Sequence, residues 1–500
     1  MEAASPSQCT TPRGNLGGVL SGISLCVALA AGLSLRLWML KHHFLVNGDA
    51  LIYGDLGKNI LLRGRYGLTA GSGAIYPTLI RLPGYPLFLA LCFRLFGMEN
   101  YASACWVQIA LELAGCLLLA DFTRQIVPGR CAGISRQAAA HCTLWLAVLC
   151  PFTAIYTAEP LSESLTLFAL TLALRSAARF CARPGWGAAL PFTFAVTYAA
   201  LLRPDGALVG MALAPALLVC LMRKMPKENS AGAEAEAGAV RGPGLARMAA
   251  VCILLVLVPF AAWSWRNWQV FHVVEPLAPR LANNPGERPN LGWERWVKSW
   301  CLDYVSTYEI YWNVPDDTLD VSKLPSRAFD SPAQQAETAA LAADYNVNHE
   351  LTPEIDARFG KLADERIAAH PLRFYLWLPA GRVADMWLRP RVENLYDDLD
   401  WWVYREHPAE TRVSWAYAGL NVLYLLLGVA GLYLRPRLWP SMLTYFLLRS
   451  ALLATVEAPE ARYTLECFPM LFALGGVALY RFTCWVLALV LKVKASAGSD

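Results

Sequence analysis

Four stretches of this 500-residue chain combine carboxylates and arginines with proline or glycine beside long apolar runs. The first holds Asn47-Gly48-Asp49-Ala50-Leu51-Ile52-Tyr53, then Asp55, Asn59, Gly64-Arg65-Tyr66-Gly67 and Arg81-Leu82-Pro83-Gly84-Tyr85-Pro86. The second is Tyr156-Thr157-Ala158-Glu159-Pro160, with Glu163 a turn further on; the third is Leu202-Arg203-Pro204-Asp205-Gly206. The fourth is Glu457-Ala458-Pro459-Glu460-Ala461-Arg462-Tyr463. Ion pairing alone would account for any one of them. Together they hold the parts for a group transfer: a carboxylate can deprotonate an acceptor hydroxyl, and cations can stabilise a leaving phosphate. Direct use of a nucleotide has no support, because no G-x-x-x-x-G-K-[ST] loop and no G-x-G-x-x-G turn after a strand occurs.

These stretches sit between membrane spans. The chain is 56% hydrophobic with mean hydropathy +0.36, and only 16% of it is charged, below the usual quarter. Apolar runs long enough to cross the hydrocarbon recur. They place spans at roughly 17–40, 101–123, 137–157, 160–180, 186–202, 205–222, 247–267, 411–434, 438–456 and 468–490. The expected fold is an all-α polytopic membrane protein with about ten spans. The first run resembles a signal peptide, with Ala28-Leu29-Ala30 as a cleavage site, but it continues to Leu40, which suits a retained anchor. Taking that span as inside-to-outside makes every inner loop basic, as the positive-inside bias requires. Those loops carry Arg124, Arg130 and Arg136; Arg175, Arg179 and Arg183; Arg223, Lys224, Lys227, Arg241 and Arg247; Arg435 and Arg437; and Lys492 and Lys494. Both termini are then cytoplasmic, and all four charged stretches fall on the opposite face. Ionisable groups at membrane depth usually face one another or a wet cavity, so a shared site is the better reading.

Three parts follow: an N-terminal transmembrane core over 1–268 with a first outer loop at 41–100, an outer loop domain over 269–410, and C-terminal spans over 411–500. A short apolar segment from Tyr85 to Phe96 reads as an interfacial helix, and 224–247 as a flexible cytoplasmic linker. The outer domain holds several Trp and Tyr residues and an amphipathic stretch from His370 to Trp387. Net charge is only +4, which gives no nucleic-acid surface.

An Asp just after the first span with Tyr four residues on, then N-x-x-x-x-G-x-Y and R-x-P-G-Y-P-L-F, resembles the GT-C membrane glycosyltransferases. The bacterial branch related to protein O-mannosyltransferases and lipid A aminoarabinose transferases is the most similar. The Ala-Glu-Pro turn, the Leu-Arg-Pro-Asp-Gly turn and the late Glu-x-Arg-Tyr also look like that branch. The resemblance covers about 20–275 and 411–480. It implies an inverting transfer from a polyprenyl-phosphate sugar to a lipid, glycan or protein acceptor on the non-cytoplasmic face. Asp49 and Glu159 take the catalytic places, Asp49 as base. Arg81 is implied at the lipid phosphate, with Arg203 and Arg462 as further cations. Tyr53, Asp55, Glu460 and Tyr463 complete the expected substrate-binding set. Asp49-Ala50 stands where the protein mannosyltransferases carry Asp-Glu, a departure that counts against mannose and a protein acceptor. The short inner loops fit a bacterial inner membrane, with the active site on the periplasmic face.

Other residues invite rival readings. A transporter or flippase of lipid-linked sugars should show internal repeats and polar groups near mid-bilayer, whereas no repeat is found and the charged stretches lie at span ends. His42-His43 suits an interfacial position better than a metal site. Asp397, Asp398 and Asp400 beside Trp401-Trp402 read as a solvated rim; a divalent ion there is left open, and no other cofactor is implied. His272, His349, His370 and His407 lack metal-ligand spacing, and most of the fourteen cysteines fall in apolar runs, with no C-x-x-C pair.

Overall fold

The computed structural model describes residues 13–127, 136–224, 242–395 and 402–497. A long helix, α1 (Arg13–His42), opens the chain. Next come α2 (Asp49–Arg63), a hairpin of β1 (Gly67–Thr69) and β2 (Ile75–Pro77), and α3 (Gly84–Phe96). The first loop is therefore helical as expected, but for this antiparallel hairpin, which pairs Leu68 with Tyr76. Then follow α4 (Tyr101–Ile126), α5 (Arg136–Val148), the single turn α6 (Pro151–Ala154), α7 (Glu163–Ala182), α8 (Trp186–Leu202), α9 (Leu208–Lys224) and α10 (Gly242–Phe271).

Among the described residues, seven helices are long and apolar enough to cross a bilayer, and α5 with the turns up to Thr157 makes an eighth, bent by 53°. The chain is an integral membrane protein of many spans. Each of the ten expected spans coincides with a helix, but α8, with 17 residues, and α17 (Trp439–Leu453), with 15, are short for a full crossing. The sequence reading does not anticipate the bend, which follows from Pro151: a proline withholds its N–H, and the preceding Cys150 is extended. The expected linker at 224–247, the Asp397–Asp398–Asp400 cluster with Trp401, and Arg130, Lys227, Arg241 lie wholly or mostly outside the described residues.

Helix α7 is the centre of the bundle, packed against α4 and α8 and buried along most of its length. By contrast, α10 presents Ile253, Leu254, Leu257 and Val258 outward, an all-round apolar helix with lipid as its solvent. The last two long helices, α16 (Pro408–Tyr433) and α18 (Phe468–Ala497), touch along Gly428 and Gly431. A Cβ at Gly431 would stand 2.0 Å from the Leu474 carbonyl oxygen, so the close approach needs glycine. Deep between α1 and α4, Arg36 pairs with Glu112 and donates to the carbonyls of Gly32 and Val148 at 2.9 and 2.8 Å. This pair departs from the expectation that polar groups lie only at span ends. Of the cysteines in apolar runs, Cys105 and Cys116 are buried, whereas Cys26 is exposed on α1.

Between α10 and α16 lies a small helical lobe: α11 (Leu291–Lys298), α12 (Tyr304–Ser306), α13 (Pro332–Tyr345), α14 (Pro353–Ala369) and α15 (Leu378–Leu388). Ser331 and Thr352 cap α13 and α14, each followed by proline at the first helical position. Trp293, Trp296, Trp300, Tyr345 and Phe359 form its core. Ala458, from the turn before α18, is buried in that same core.

Candidate functional site

Gly48 precedes α2 with φ of 45°, a left-handed conformation natural to glycine, and so turns the chain to put Asp49 in the first helical turn. The helix dipole favours a carboxylate there. Arg81 lies in the bend before α3, which is braced from several sides. Tyr66 donates its hydroxyl to the Arg81 carbonyl at 2.9 Å. Arg266 of α10 donates to the Thr78 carbonyl at 2.8 Å, and Thr78 itself donates to Asn284 at 2.8 Å. The Arg81 guanidinium then meets Asp49 at 2.6 Å.

From the other end of the chain, a 3₁₀ turn over Ala461–Cys467 carries Arg462. Its guanidinium stands 3.6 Å from the second Asp49 oxygen, 2.5 Å from Glu460 and 3.8 Å from Glu163. Burial works to raise the Asp49 pKa, but Arg81 and Arg462 outweigh it and hold the carboxyl below its usual range. Tyr53, one turn along α2, is buried edge-on against Tyr85 with centroids 5.0 Å apart. Burial, and then the Asp49 charge, push its phenol upward.

Behind this rim is a buried ion network. Arg203, where α8 ends in extended conformation, pairs with Glu163 at 3.2 Å, Asp205 at 3.4 Å and Glu466 at 3.2 Å. Arg449 of α17 closes the network onto Asp205 and, at 2.6 Å, onto Glu466. Carboxylates shared between the two guanidinium groups let each buried charge offset the desolvation of the next. The Tyr463 ring stands between Arg203 and Arg462, 5.6 and 5.7 Å from their guanidinium carbons, and its hydroxyl donates to Glu460. A shared aromatic face keeps the two like charges attractive to a common neighbour.

Glu159 lies beside the network with 8% of its surface exposed. Burial and then Glu163 push its carboxyl to about 7, against Arg462 and a 2.6 Å hydrogen bond donated by Asn394. Nearby, Glu393 keeps one carboxylate oxygen buried without a hydrogen bond among the described residues, in a small hollow also lined by Tyr156 and Arg462.

Of the expected residues, Asp49, Tyr53, Arg81, Glu159, Arg203, Glu460, Arg462 and Tyr463 come together. Asp55 does not join them. It accepts from the Thr69 backbone N–H at 2.6 Å and the Thr69 hydroxyl at 2.9 Å, which ties α2 to the hairpin. Arg449, Glu466 and Asn394 escaped the sequence reading. A single arginine inside the apolar run of α17 was the available signal for Arg449. Among the described residues, no group of three or more metal-ligating side chains is assembled.

The turn carrying Glu460 and Arg462 is held through its carbonyls. Arg280 and Lys298 donate to Thr455 O at 3.1 and 2.6 Å, and both pair with Glu457. Thr307 donates to Pro459 O at 3.0 Å, and Arg391 to Ala461 O at 2.8 Å. The lobe and its flanking segments thus fix the turn, while the Arg462 side chain reaches Asp49.

No family model matches the chain, and no curated protein matches it. The chain is similar to two crystal structures of ArnT from Cupriavidus metallidurans. One, bound to undecaprenyl phosphate, is 16% identical over 92% of this chain and 78% of that one, with a TM-score of 0.37. The other, in the apo state, is 17% identical over 91% and 77%, with a TM-score of 0.36.

Proposed function

We propose that the chain is a membrane glycosyltransferase of GT-C type, moving a sugar from a polyprenyl-phosphate donor to an acceptor on the non-cytoplasmic face. The observation that carries this reading is Asp49, exposed by 27% at the edge of a buried ion network and gripped by Arg81 and Arg462. A phosphate at headgroup level meets two guanidinium groups there, and arginine presents a planar fork suited to phosphate oxygens.

In the proposed step the acceptor oxygen attacks the anomeric carbon from the face opposite the phosphate. The carbon–phosphate-oxygen bond breaks with its electron pair going to the phosphate, and the acceptor proton goes to Asp49. One carboxylate and a displaced phosphate give inversion. In the free site Asp49 is a poor base, because both arginines favour its charged form. A donor phosphate that engages the same arginines relieves this, so the carboxylate gains basicity only when the leaving group is in place. Glu159, buried and raised to about 7, can in its protonated form donate a hydrogen bond to a sugar or acceptor hydroxyl.

Asp49→Asn keeps the shape of the side chain and removes the base. At matched expression, transfer of radiolabelled sugar from membrane lipid to acceptor should fall by about 10²-fold or more, with lipid-linked sugar accumulating. Unchanged transfer would remove Asp49 from the chemistry. If the wild type also transfers nothing while lipid-linked sugar changes leaflet, the chain is a transporter.

A further inference from the structure

Beside the turn that carries Glu460 and Arg462 is a second cavity, of about 750 Å³, between the lobe and the C-terminal end of α17. It shares no residue with the ion network. Its apolar lining includes Leu281, Phe374 and Tyr375 with Ala454 from the end of the span. Its charged lining is Arg280, Arg295, Lys298, Glu457 and Glu294. Tyr375, Leu376 and Trp377, at 70, 52 and 66% exposure, extend the apolar lining beyond the cavity. Three adjacent exposed aromatic and aliphatic side chains beside the end of a membrane helix form a surface that an alkyl chain at the bilayer boundary can cover.

The charged lining discriminates by being already neutralised. Arg280 and Lys298 both pair with Glu457, and Arg295 pairs with Asp364 outside the cavity. An anion would have to displace Glu457 from two cations at once, and a cation would meet Arg280 and Lys298. Glu294 accepts the Tyr311 hydroxyl at 3.1 Å on each of its oxygens. Burial and then the Glu457 charge raise its carboxyl to about 7. Such a wall offers hydrogen-bond donors and acceptors to hydroxyl groups without rewarding net charge, and the Tyr375 ring offers a face to a pyranose.

We infer that this cavity binds the neutral, hydroxyl-rich head of a glycolipid, with its alkyl chain along Tyr375 and Trp377, as the acceptor side of the proposed transfer. The inference rests on that reading for the word acceptor, but binding itself needs no turnover. Glu457, in the cavity wall, and Glu460, beside Arg462, belong to the same turn, which links the two sites along the chain.

The test uses the full chain in lipid nanodiscs and an alkyl glucoside with a photoreactive diazirine in its chain. Saturable crosslinking to the segments around Leu281 and Phe374–Pro379 is expected, weakened about tenfold by Tyr375→Ala and restored by Tyr375→Trp. Tyr375 is exposed, so neither variant threatens folding. An alkyl phosphate bearing the same diazirine should label about tenfold less. Labelling spread over the spans without saturation, or stronger labelling by the phosphate, would overturn the assignment. So would loss of the label in Asp49→Asn, because the probe would then occupy the transfer site. Retained saturable labelling in a wild-type protein that transfers no sugar would keep the cavity and sink the enzyme reading.

Discussion

Two carboxyls that feel the same arginine, Asp49 and Glu159, are driven in opposite directions. Asp49 has two guanidinium partners that hold its carboxyl below its usual range, whereas burial and then the Glu163 charge push Glu159 to about 7, against a hydrogen bond from Asn394. A carboxyl whose folded pKa lies above its ordinary 4.5 contributes most to stability below that value and loses the contribution as pH rises through about 7. Glu159→Gln, locked in the neutral form, should therefore raise Tm relative to wild type at pH 8 and change it little at pH 5. Equal shifts at both values would mean that Glu159 folds as the anion. At this scale the sequence was informative wherever a charged residue stood beside proline or glycine at a span end. It was silent where the same chemistry was supplied from within a helix. Arg449 and Glu466 carry no turn motif, and their roles come from α17 packing on α9 and on the 3₁₀ turn before α18, which places them on Asp205 and Arg203.

Elements meet in this molecule through backbone as much as through side chains. On α16, a methyl group at Gly431 would collide with the Leu474 carbonyl of α18, so Gly431→Ala should destabilise by about 1–3 kcal/mol. A thermal shift in detergent measures it; an unchanged Tm would mean that the two helices slide apart without cost. The turn from Thr455 to Ala461 is fixed through three carbonyls by Arg280, Lys298, Thr307 and Arg391. Thr307 touches no group of the transfer site, so it acts by position. Thr307→Val should lower kcat about tenfold with little change in donor KM, and Thr307→Ser should restore it. A fall that serine does not rescue would point to packing instead. Apolar periodicity located the helices, but could not reveal the hairpin that holds Asp55, nor the 53° bend after α5. The hairpin depends on strand pairing and on a carboxylate from the preceding helix, and the bend on a single proline, Pro151.

Over the whole molecule, the basic loops and the charged site should face opposite sides of the membrane. Glu406 and Arg437 are exposed and flank α16. Glu406→Cys should react with a membrane-impermeant maleimide in intact cells, and Arg437→Cys only after permeabilisation. The reverse pattern would invert the topology. Loop charge is the ground for this expected orientation, whereas the lobe was not readable, because tryptophans that suggested a membrane surface include Trp293, Trp296 and Trp300, which build its own core.

The span of chain between partners has a consequence for biogenesis. Asp205 and Arg449 are separated by 244 positions, with the entire lobe between them. At roughly 5–20 residues per second, Asp205 and Glu163 leave the ribosome on the order of tens of seconds before Arg449 and Arg462. In that interval Arg203 alone neutralises them, and the half-built pocket must stay hydrated. The last two helices to enter the membrane therefore both complete the charge balance and expel that water, which ties the birth of the site to the end of translation.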